Sequence, residues 1–234
     1  MHYAIIAAGE GSRLAQEGAA KPKPLITLDG RPMVKRLIDI FVRCHAQSVS
    51  IIVNERMPEV RQYLASLELP VPFHVMARTT PGSLHSFYEL SKAIPEGKLC
   101  LATVDSVFRE YDFKLYVDAF EHDETHDGLW AITPFIDDEK PLYVEVDDSM
   151  HITAFSDKAP KHSTLYVSGG IYAMSHCPHK LLERCLSLGM TSMRDFQRAL
   201  VDAGWRLKAH AIDKIIDVDH AADIITAQQF ISLR

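Results

Sequence analysis

The sequence has few cysteines and no long run of apolar residues. Its cysteines are Cys44, Cys100, Cys177 and Cys185. No two of them form a C-x-x-C pair, and four thiols among 234 residues are not the pattern of a disulfide-rich secreted domain. The first apolar stretch ends at Gly9 with no basic segment before it, which is too short for a signal peptide or a membrane span. We therefore expect reduced thiols, a cytoplasmic location and no membrane partner.

Positive charge is also scarce. The chain has 25 lysines and arginines against 31 aspartates and glutamates, for a formal net charge of −6. Such a chain lacks the overall positive field that attracts a nucleic acid backbone, so we expect no nucleic acid partner. Hydrophobic residues make up 47% and charged residues 24%, which is the composition of a globular protein with a full core. Any anionic ligand must therefore be held by local groups.

Internal repeats and linkers rich in glycine, serine or proline are absent from the sequence. At roughly 150 residues per domain, the length favours one domain over residues 1–234. In the first half, short apolar runs alternate with helical patterns, which predicts an α/β fold with a mostly parallel, doubly wound sheet. The predicted strands are Tyr3–Ala7, Val49–Val53, Pro72–Met76 and Leu99–Thr103, and the predicted helices are Pro32–His45, Glu59–Ser66 and Ser83–Lys92.

The second half has more strand patterns and fewer helical ones. A hairpin at 147–148 would join two of these strands and make the sheet mixed. Because ligands of open α/β sheets lie beyond the carboxyl ends of strands, residues that directly follow strands are candidate site residues. The predicted strands are Leu129–Pro134, Tyr143–Val146, His151–Ser156 and Leu165–Met174, and the predicted helices are Ser192–Ala203 and a closing segment from about Ala221.

A glycine-containing loop follows the first predicted strand. Gly9 and Gly11 allow a tight turn that leaves backbone N–H groups for an anion, and Arg13 and Lys23 add positive charge. This arrangement predicts a phosphate-binding loop. It is not a dinucleotide fingerprint, because Leu14 occupies the position of the third glycine, and the P-loop pattern GxxxxGK[ST] is absent from the sequence. Hydride transfer and P-loop hydrolysis are therefore disfavoured.

The loop and several later segments resemble one enzyme family. AAGEGSRL at 7–14 and PKPL at 22–25 are similar to the AAGxG[ST]R[LM] and PKPL motifs of sugar-1-phosphate nucleotidyltransferases, or nucleotide-diphospho-sugar pyrophosphorylases. Further segments resemble family motifs in the family's order: TTPGSL at 79–84, TVDSVF at 103–108, FSDK at 155–158, VSGGIY at 167–172 and IDVD at 216–219. The resemblance covers nearly the whole chain. It implies the Rossmann-like, doubly wound mixed sheet of the nucleotide-diphospho-sugar transferase type, with an NTP-binding half over about 1–125 and an acceptor-binding half over about 126–234.

The resemblance implies a reaction in which a phosphate oxygen attacks the α-phosphorus of a nucleoside triphosphate, with Mg²⁺ as cofactor and pyrophosphate as leaving group. Because that oxygen is already ionised near neutral pH, positioning and charge stabilisation carry the catalysis. The implied catalytic residues are Arg13, Lys23 and Asp105. The implied nucleotide-binding residues are Ala8, Gly9, Gly11 and Ser12 in the first loop, and Thr80, Gly82 and Ser83 in the segment that faces the base.

Three aspartates are candidate Mg²⁺ ligands. Asp105 follows the strand at 99–103, so its carboxylate is expected at the carboxyl edge of the sheet. Asp217 and Asp219 would point to the same side if their stretch is extended, and branches of the family differ over which of the two binds the metal. Asp219 is favoured, with Asp217 close behind. The alternative is that one of them caps the last helix.

The acceptor is the less defined substrate. The resemblance implies acceptor-binding roles for Asp157, Lys158 and Gly170. Asp157 replaces the family's glutamate, and Tyr143 lies where many relatives have a glycine in the sugar pocket. Both departures leave two acceptor classes open, a sugar 1-phosphate and a small alcohol phosphate. The second class would make the protein a phosphocholine-type cytidylyltransferase.

Two further interpretations remain open. A glycosyltransferase of the related fold would carry a D-x-D motif where this chain has Thr103-Val104-Asp105, which disfavours it. A non-catalytic nucleotide-binding regulatory domain would not need the charged site residues together. The closing helical segment carries an apolar stripe that is either core or a subunit contact of a homodimer: Ile224, Ile225, Gln228, Phe230 and Ile231.

Overall fold

The computed structural model describes residues 1–161 and 164–232. The strands are β1 (His2–Ala7), β2 (Thr27–Leu28), β3 (Arg31–Pro32), β4 (Ser48–Val53), β5 (Phe73–Ala77), β6 (Leu99–Thr103), β7 (Ser106–Val107), β8 (Gly128–Thr133), β9 (Tyr143–Val146), β10 (Ile152–Ser156), β11 (Val167–Met174), β12 (Leu207–Ala211) and β13 (Ile216–Asp217). The helices are α1 (Ser12–Gln16), α2 (Met33–Arg43), α3 (Pro58–Ala65), α4 (Ser83–Ser91), α5 (Glu110–Glu121), α6 (His179–Ser187), α7 (Met193–Asp202) and α8 (Ala221–Ser232).

Nine strands of the described ranges form one mixed sheet. Strands β6, β1, β4 and β5 lie side by side and run parallel. Next to β6, strand β11 runs antiparallel and also pairs with β8, which pairs in turn with β12. The hairpin of β9 and β10 adjoins β11 at its start. The predicted α/β class, the mixed sheet and the hairpin at 147–148 are confirmed.

Two apolar clusters cover the opposite faces of the sheet. Successive residues of β1 alternate between them, with Tyr3 and Ile5 in one cluster and Ala4 and Ile6 in the other. Because side chains alternate across a strand, β1 is buried on both faces and reads as a continuous apolar run. Helices α2, α3 and α5 contribute to the first cluster, and α4, α6 and α7 contribute to the second. This is the arrangement of a doubly wound fold.

Several elements were outside the sequence prediction, and the two longest are helix α5 and strand β12. Helix α5 buries Phe113, Tyr116 and Phe120, which have helical spacing, so the signal was present in the sequence. Strand β12 buries Leu207 and Ala209 and runs parallel to β8. None of the helices in the described part of the chain has the length and apolar character that crossing a bilayer requires.

The carboxyl ends of β1, β4 and β6 meet at one edge of the sheet, because the three strands are neighbours and run parallel. The short strand β13 pairs with β7, which sets Asp217 opposite Ser106. The backbone N–H of Val218 donates a hydrogen bond to the carbonyl of Asp105 at 3.2 Å. These contacts bring the segment 216–219 against the loop that follows β6.

Candidate active site

Two adjoining cavities open along this edge of the sheet. The larger one measures about 720 Å³ and is lined by residues of the first loop, of the segment 79–83 and of the loop after β6. The smaller one measures about 300 Å³ and is lined mainly by residues beyond 126. Ser83, Thr103 and Asp105 line both cavities, so the two meet at the loop after β6. A ligand in one cavity can therefore reach a ligand in the other beside Asp105.

The first loop forms one wall of the larger cavity. Gly11 has φ of +61° and lies directly before α1, where a Cβ atom would be 3.1 Å from the Cβ of Lys23. The left-handed backbone and the close approach of Lys23 both favour glycine here. Gly9 has open space where a Cβ would be, so its backbone faces the cavity. The remaining predicted residues of this loop also line the larger cavity: Ala8, Ser12 and Arg13.

The opposite wall is the segment 79–83, and Asn54 connects it to the first loop. Asn54 directly follows β4, is buried, and donates from its side chain to the carbonyl of Ala8 at 3.1 Å. Its side-chain oxygen accepts a hydrogen bond from the hydroxyl of Thr79 at 3.0 Å. Thr80, Gly82 and Ser83 line the larger cavity as predicted for the base-facing segment. The sequence analysis missed Asn54, although a polar residue after a predicted strand was the available signal.

Asp105, Asp217 and Asp219 lie together at the junction of the cavities. One carboxylate oxygen of each is within 4.8 Å of the others. Carboxylate oxygens are the donors that Mg²⁺ prefers, so this donor set fits the divalent cation that the sequence predicts. In the described residues the carboxylate of Asp219 accepts hydrogen bonds from Arg13 and Lys23, both at 2.6 Å, and not from the backbone of α8. The backbone N–H of Asp219 donates to the carboxylate of Asp223 at 2.9 Å.

Lys23 and Arg13 supply positive charge to this acidic group. The ammonium of Lys23 is 2.5 Å from a carboxylate oxygen of Asp105 and 2.6 Å from one of Asp219. The guanidinium of Arg13 contacts the other carboxylate oxygen of Asp219 at 2.6 Å. The structure thus brings all of the predicted catalytic and metal-binding residues to one place.

The pKa values in this group are strongly shifted. Burial disfavours the charge on Lys23, but the nearby carboxylates of Asp105, Asp217 and Asp219 raise its pKa above the ordinary lysine value. Burial also disfavours ionisation of Asp105, and Lys23 outweighs it and lowers the pKa of Asp105. The protein groups packed around the carboxyl of Asp217, followed by the negative charge of Asp105, raise the pKa of Asp217 well above its usual range, although the residue keeps an exposed surface. Mutually repelling carboxylates of this kind favour a bound cation.

The smaller cavity contains one of the three predicted acceptor residues. Gly170 lines it with φ of +73°, and a Cβ atom there would be 2.2 Å from the hydroxyl oxygen of Ser106. Asp157 lies on the exposed surface and is bound by the guanidinium groups of Arg194 at 3.1 Å and Arg198 at 2.6 Å. Lys158 is exposed and lines neither cavity. The acceptor-binding roles of Asp157 and Lys158 stay predictions.

Helix α7, which the sequence analysis predicted as Ser192–Ala203 but gave no role in the site, contributes several residues to the smaller cavity. Its first turn is closed by a capping box, in which Ser192 and Asp195 bond to each other's backbone and side chain. Ser192, Met193, Arg194 and Gln197 line the cavity. The predicted start of this helix at Ser192 agrees with the capping residue, but none of the family motifs covers the cavity-lining residues of α7.

A family comparison agrees with this geometry. Residues 3–185 match the family described as the MobA-like NTP transferase domain. The chain belongs to this family. The match includes the first loop, Lys23 and Asp105, and it ends before helix α7. The predicted nucleotidyltransferase resemblance is confirmed at the level of this family.

Two curated proteins are related to this MobA-like chain in sequence. It is 20% identical over 234 residues to the bifunctional protein GlmU of Methanococcus maripaludis (strain C5), covering 97% of this chain and 53% of that protein. It is 26% identical over 110 residues to the 2-aminoethylphosphonate cytidylyltransferase of Lancefieldella rimae, covering 45% and 43% of the two chains. The chain thus spans about half the length of the curated relatives it matches.

Solved structures resemble this MobA-like chain over nearly its whole length. The inositol-1-phosphate CTP transferase from T. maritima is 20% identical with a TM-score of 0.78, covering 98% of this chain and 97% of that one. A putative glucose-1-phosphate thymidylyltransferase from Bacillus anthracis is 19% identical with a TM-score of 0.82, covering 98% and 94%. At such identities the likeness concerns the fold, and it confirms the predicted nucleotide-diphospho-sugar transferase type.

Proposed function

We propose that the protein is a Mg²⁺-dependent nucleotidyltransferase that joins a nucleoside triphosphate to a sugar 1-phosphate or a small alcohol phosphate and releases pyrophosphate. The observation that carries the proposal is the meeting of two cavities at Asp105. The larger cavity is lined by residues before 106 together with Asp219, and the smaller one mainly by residues beyond 126. This supports a division into an NTP-binding half over about 1–125 and an acceptor-binding half over about 126–234.

The nucleotide binds in the larger cavity in this proposal. The backbone of the first loop at Gly9 and Gly11 faces the triphosphate, with Ala8 and Ser12 beside it. Thr80, Gly82 and Ser83 form the wall that faces the base. Arg13 lies beside the leaving pyrophosphate, where its guanidinium stabilises developing negative charge.

The reaction occurs where the cavities meet. A phosphate oxygen of the acceptor forms a bond to the α-phosphorus, the bond from that phosphorus to the bridging oxygen of the β-phosphate breaks, and pyrophosphate takes the electron pair. The attacking oxygen is ionised before the reaction, so no protein base has to remove a proton. In this proposal Lys23 gives up one of its two carboxylate contacts and instead contacts an oxygen of the α-phosphate. The ammonium group then stabilises the negative charge on that phosphate. Asp105 with Asp219 or Asp217 would hold Mg²⁺, which would supply charge neutralisation for the phosphate groups when bound.

Sequence similarity favours a second candidate within the same class. The likeness to a 2-aminoethylphosphonate cytidylyltransferase over 110 residues supports an aminoalkyl acceptor, related to the phosphocholine type. A non-catalytic regulatory domain is the alternative of another class. The contact of Lys23 with two carboxylates at the junction of the cavities argues against it, because nucleotide binding alone does not require charge at that junction.

Pyrophosphate release tests the proposal. Four nucleoside triphosphates are combined with sugar 1-phosphates, inositol 1-phosphate, phosphocholine and 2-aminoethylphosphonate in the presence of Mg²⁺. We expect one pairing to release pyrophosphate and Asp105→Asn to lower that rate by about a hundredfold or more. Asp148→Asn is the matched control, because Asp148 lies on the exposed hairpin between β9 and β10.

Two results would contradict the proposal. If Asp105→Asn retains the rate of Asp148→Asn, then Asp105 has no part in the reaction. If the protein binds a nucleoside triphosphate tightly but releases no pyrophosphate with any acceptor, the regulatory alternative is supported. Calorimetric titration of each nucleotide measures that binding independently of turnover.

A further inference from the structure

Gln197 has an amide whose orientation is fixed by its neighbours. It lies on α7, is only 2% exposed, and borders the smaller cavity. Its side-chain oxygen accepts hydrogen bonds from the indole N–H of Trp130 at 3.1 Å and from the hydroxyl of Ser168 at 2.8 Å. An indole nitrogen can only donate, so the amide oxygen and not the amide nitrogen must face Trp130. Rotating the amide by 180° would set two donors against each other.

The amide nitrogen of Gln197 is therefore left with two N–H groups on the other side. It makes no hydrogen bond to any residue in 1–161 or 164–232. This nitrogen is not sealed in the core, so water or a ligand in the cavity can reach it and supply a partner. The cavity that Gln197 borders is the place from which a ligand can supply it.

The first turn of α7 adds a second donor at the same cavity. The N–H of Met193 donates to the hydroxyl of Ser83 at 3.0 Å, and the N–H of Asp195 donates to the hydroxyl of Ser192 at 3.2 Å. The backbone N–H of Arg194 lies between these two and has no acceptor among the residues that the structure describes. Helix N-termini present such groups to oxygen ligands. Arg194 and Gln197 are three residues apart, so they lie on one side of α7.

Charges of both signs border this wall, because Asp105, Asp137, Asp138 and Asp217 line the cavity together with Arg194. The guanidinium of Arg194 is 3.8 Å from Asp138 and 3.1 Å from Asp157. A hydroxyl group can donate to a carboxylate and accept from Gln197, whereas an ammonium group can only donate. Asp137 also borders the cavity. Its pKa is raised mainly by burial and, to a smaller extent, by the negative charge of Asp223. An ammonium group would face the guanidinium of Arg194 and would leave the Gln197 donors unpaired. An oxygen-bearing group would satisfy them.

We propose that Gln197 and the first turn of α7 bind oxygen atoms at the end of the acceptor that lies away from the reacting phosphate. The acceptor is then a hydroxylated phosphomonoester, of the sugar or cyclitol class, and not an alkylammonium phosphate. Gln197 is a specificity-determining residue in this proposal. The inference rests on the proposed function, because it concerns the second substrate of the same reaction.

Gln197→Glu is the discriminating variant. Glutamate keeps a side-chain oxygen for Trp130 and Ser168 and replaces only the nitrogen donor by a second oxygen. We expect the KM for a hydroxylated acceptor to rise by about tenfold or more, while the KM for the nucleotide changes by less than about twofold. Gln62→Glu is the matched control for the added charge, because Gln62 is exposed on α3. Thermal unfolding of both variants establishes that the folds are retained.

The probes are glucose 1-phosphate, myo-inositol 1-phosphate, phosphocholine and 2-aminoethylphosphonate with one nucleoside triphosphate. A higher kcat/KM of the unaltered protein for a hydroxylated acceptor, reduced by Gln197→Glu but not by Gln62→Glu, supports the inference. A higher kcat/KM for either nitrogen-containing acceptor overturns it and leaves the proposed function intact. An unchanged KM in Gln197→Glu also overturns it.

A binding measurement distinguishes failure of this inference from failure of the proposed function. If none of the probes is turned over, calorimetric titration of the two hydroxylated probes into the nucleotide-loaded protein still tests the α7 site. Binding that Gln197→Glu weakens by about tenfold supports the inference even though the proposed reaction fails. Equal binding by both proteins, or no binding of either hydroxylated probe, overturns it.

Discussion

The ammonium of Lys23 lies 2.5 Å from the carboxylate of Asp105, although the two residues are 82 positions apart in the chain. The contact joins the loop after the first strand to the loop after β6. Lys23 also contacts Asp219 from the C-terminal segment. One buried cation thus holds three distant parts of the chain together at the point where the reaction is proposed to occur.

Removing that cation should destabilise the fold when no divalent ion is present. Lys23→Met leaves Asp105, Asp217 and Asp219 facing one another, and we expect the free energy of unfolding at pH 7 to fall by about 2–4 kcal/mol. Urea unfolding in a chelator measures the loss. Saturating Mg²⁺ should restore more stability to the variant than to the unaltered protein, because it can replace the missing charge.

Lys21→Met provides the control for this change. Lys21 is exposed and lies two residues before Lys23 in the same loop. Its replacement should alter the free energy of unfolding by no more than about 0.5 kcal/mol. If the two variants are equally stable in the chelator, then Lys23 does not hold the acidic group together.

Asp217 and Asp219 should have opposite effects on stability although both are candidate metal ligands. Asp219→Asn weakens ion pairs with Lys23 and Arg13 and should lower the free energy of unfolding by about 1 kcal/mol at pH 7 without metal. Asp217→Asn should raise it by about 0.5–1 kcal/mol after allowance for screening by water. The raised pKa of Asp217 means that its ionisation costs stability.

Because the pKa of Asp217 is raised in the folded protein, the effect of Asp217→Asn on stability should depend on pH. The cost of ionising Asp217 is absent below the ordinary aspartate pKa of about 3.9 and grows as the pH rises through that value. The gain in Asp217→Asn should therefore be present at pH 7 and vanish near pH 3. Urea unfolding at both pH values measures it, with Asp148→Asn as the exposed control. A gain of equal size at both pH values would rule out ionisation of Asp217 as its cause.

Replacement of Gly170 by alanine should be unfavourable for two separable reasons, which are the positive φ of this residue and the closeness of Ser106. Alanine there takes a φ of +73° and brings its Cβ to 2.2 Å from the hydroxyl of Ser106. We expect Gly170→Ala to cost about 2–4 kcal/mol and to raise the KM of the acceptor, while nucleotide affinity changes by less than about twofold. Chemical unfolding and steady-state kinetics measure these effects.

Gly189→Ala isolates the backbone contribution. Gly189 has a similar φ of +77° but open space where the Cβ would be, so only the conformational cost of about 1 kcal/mol applies. A loss in Gly170→Ala no larger than in Gly189→Ala would mean that Ser106 moves aside. The acceptor cavity would then tolerate a larger residue at this position.

The sequence predicted the elements that have a local pattern. Strands such as β6 and the tight turn at Gly11 are encoded by neighbouring residues, so apolar runs and glycine spacing were sufficient. The direct pairing of Lys23 with Asp105 was not predictable, because it depends on how two loops meet in space. The two residues were nevertheless assigned to one site through the family resemblance.

The acceptor side was harder to predict for a physical reason. The role inferred for Gln197 depends on Trp130, which lies 67 positions earlier and fixes the amide orientation. Asp157, which lies directly after β10 and well before α7 in the chain, contacts Arg194 and Arg198. Contacts of this kind leave no periodic signal in a single sequence, so the helix itself was predicted but its place beside the smaller cavity was found only in the structure.

An ion pair away from the site should control stability at low pH. Arg43 donates two hydrogen bonds to Glu110, at 2.8 and 2.7 Å, and together with Lys114 it lowers the pKa of Glu110 to about 2 from 4.5. Because the folded pKa is depressed, the stabilisation is present above about pH 4.5 and is lost as the pH falls through 2. Both side chains are partly exposed, so we expect Glu110→Gln to cost only about 1 kcal/mol at pH 7 and a small fraction of that near pH 2. Urea unfolding at the two pH values, with exposed Glu55→Gln as control, measures this difference. A cost that persists in full at pH 2 would show that packing of α5, and not the charge of Glu110, is responsible.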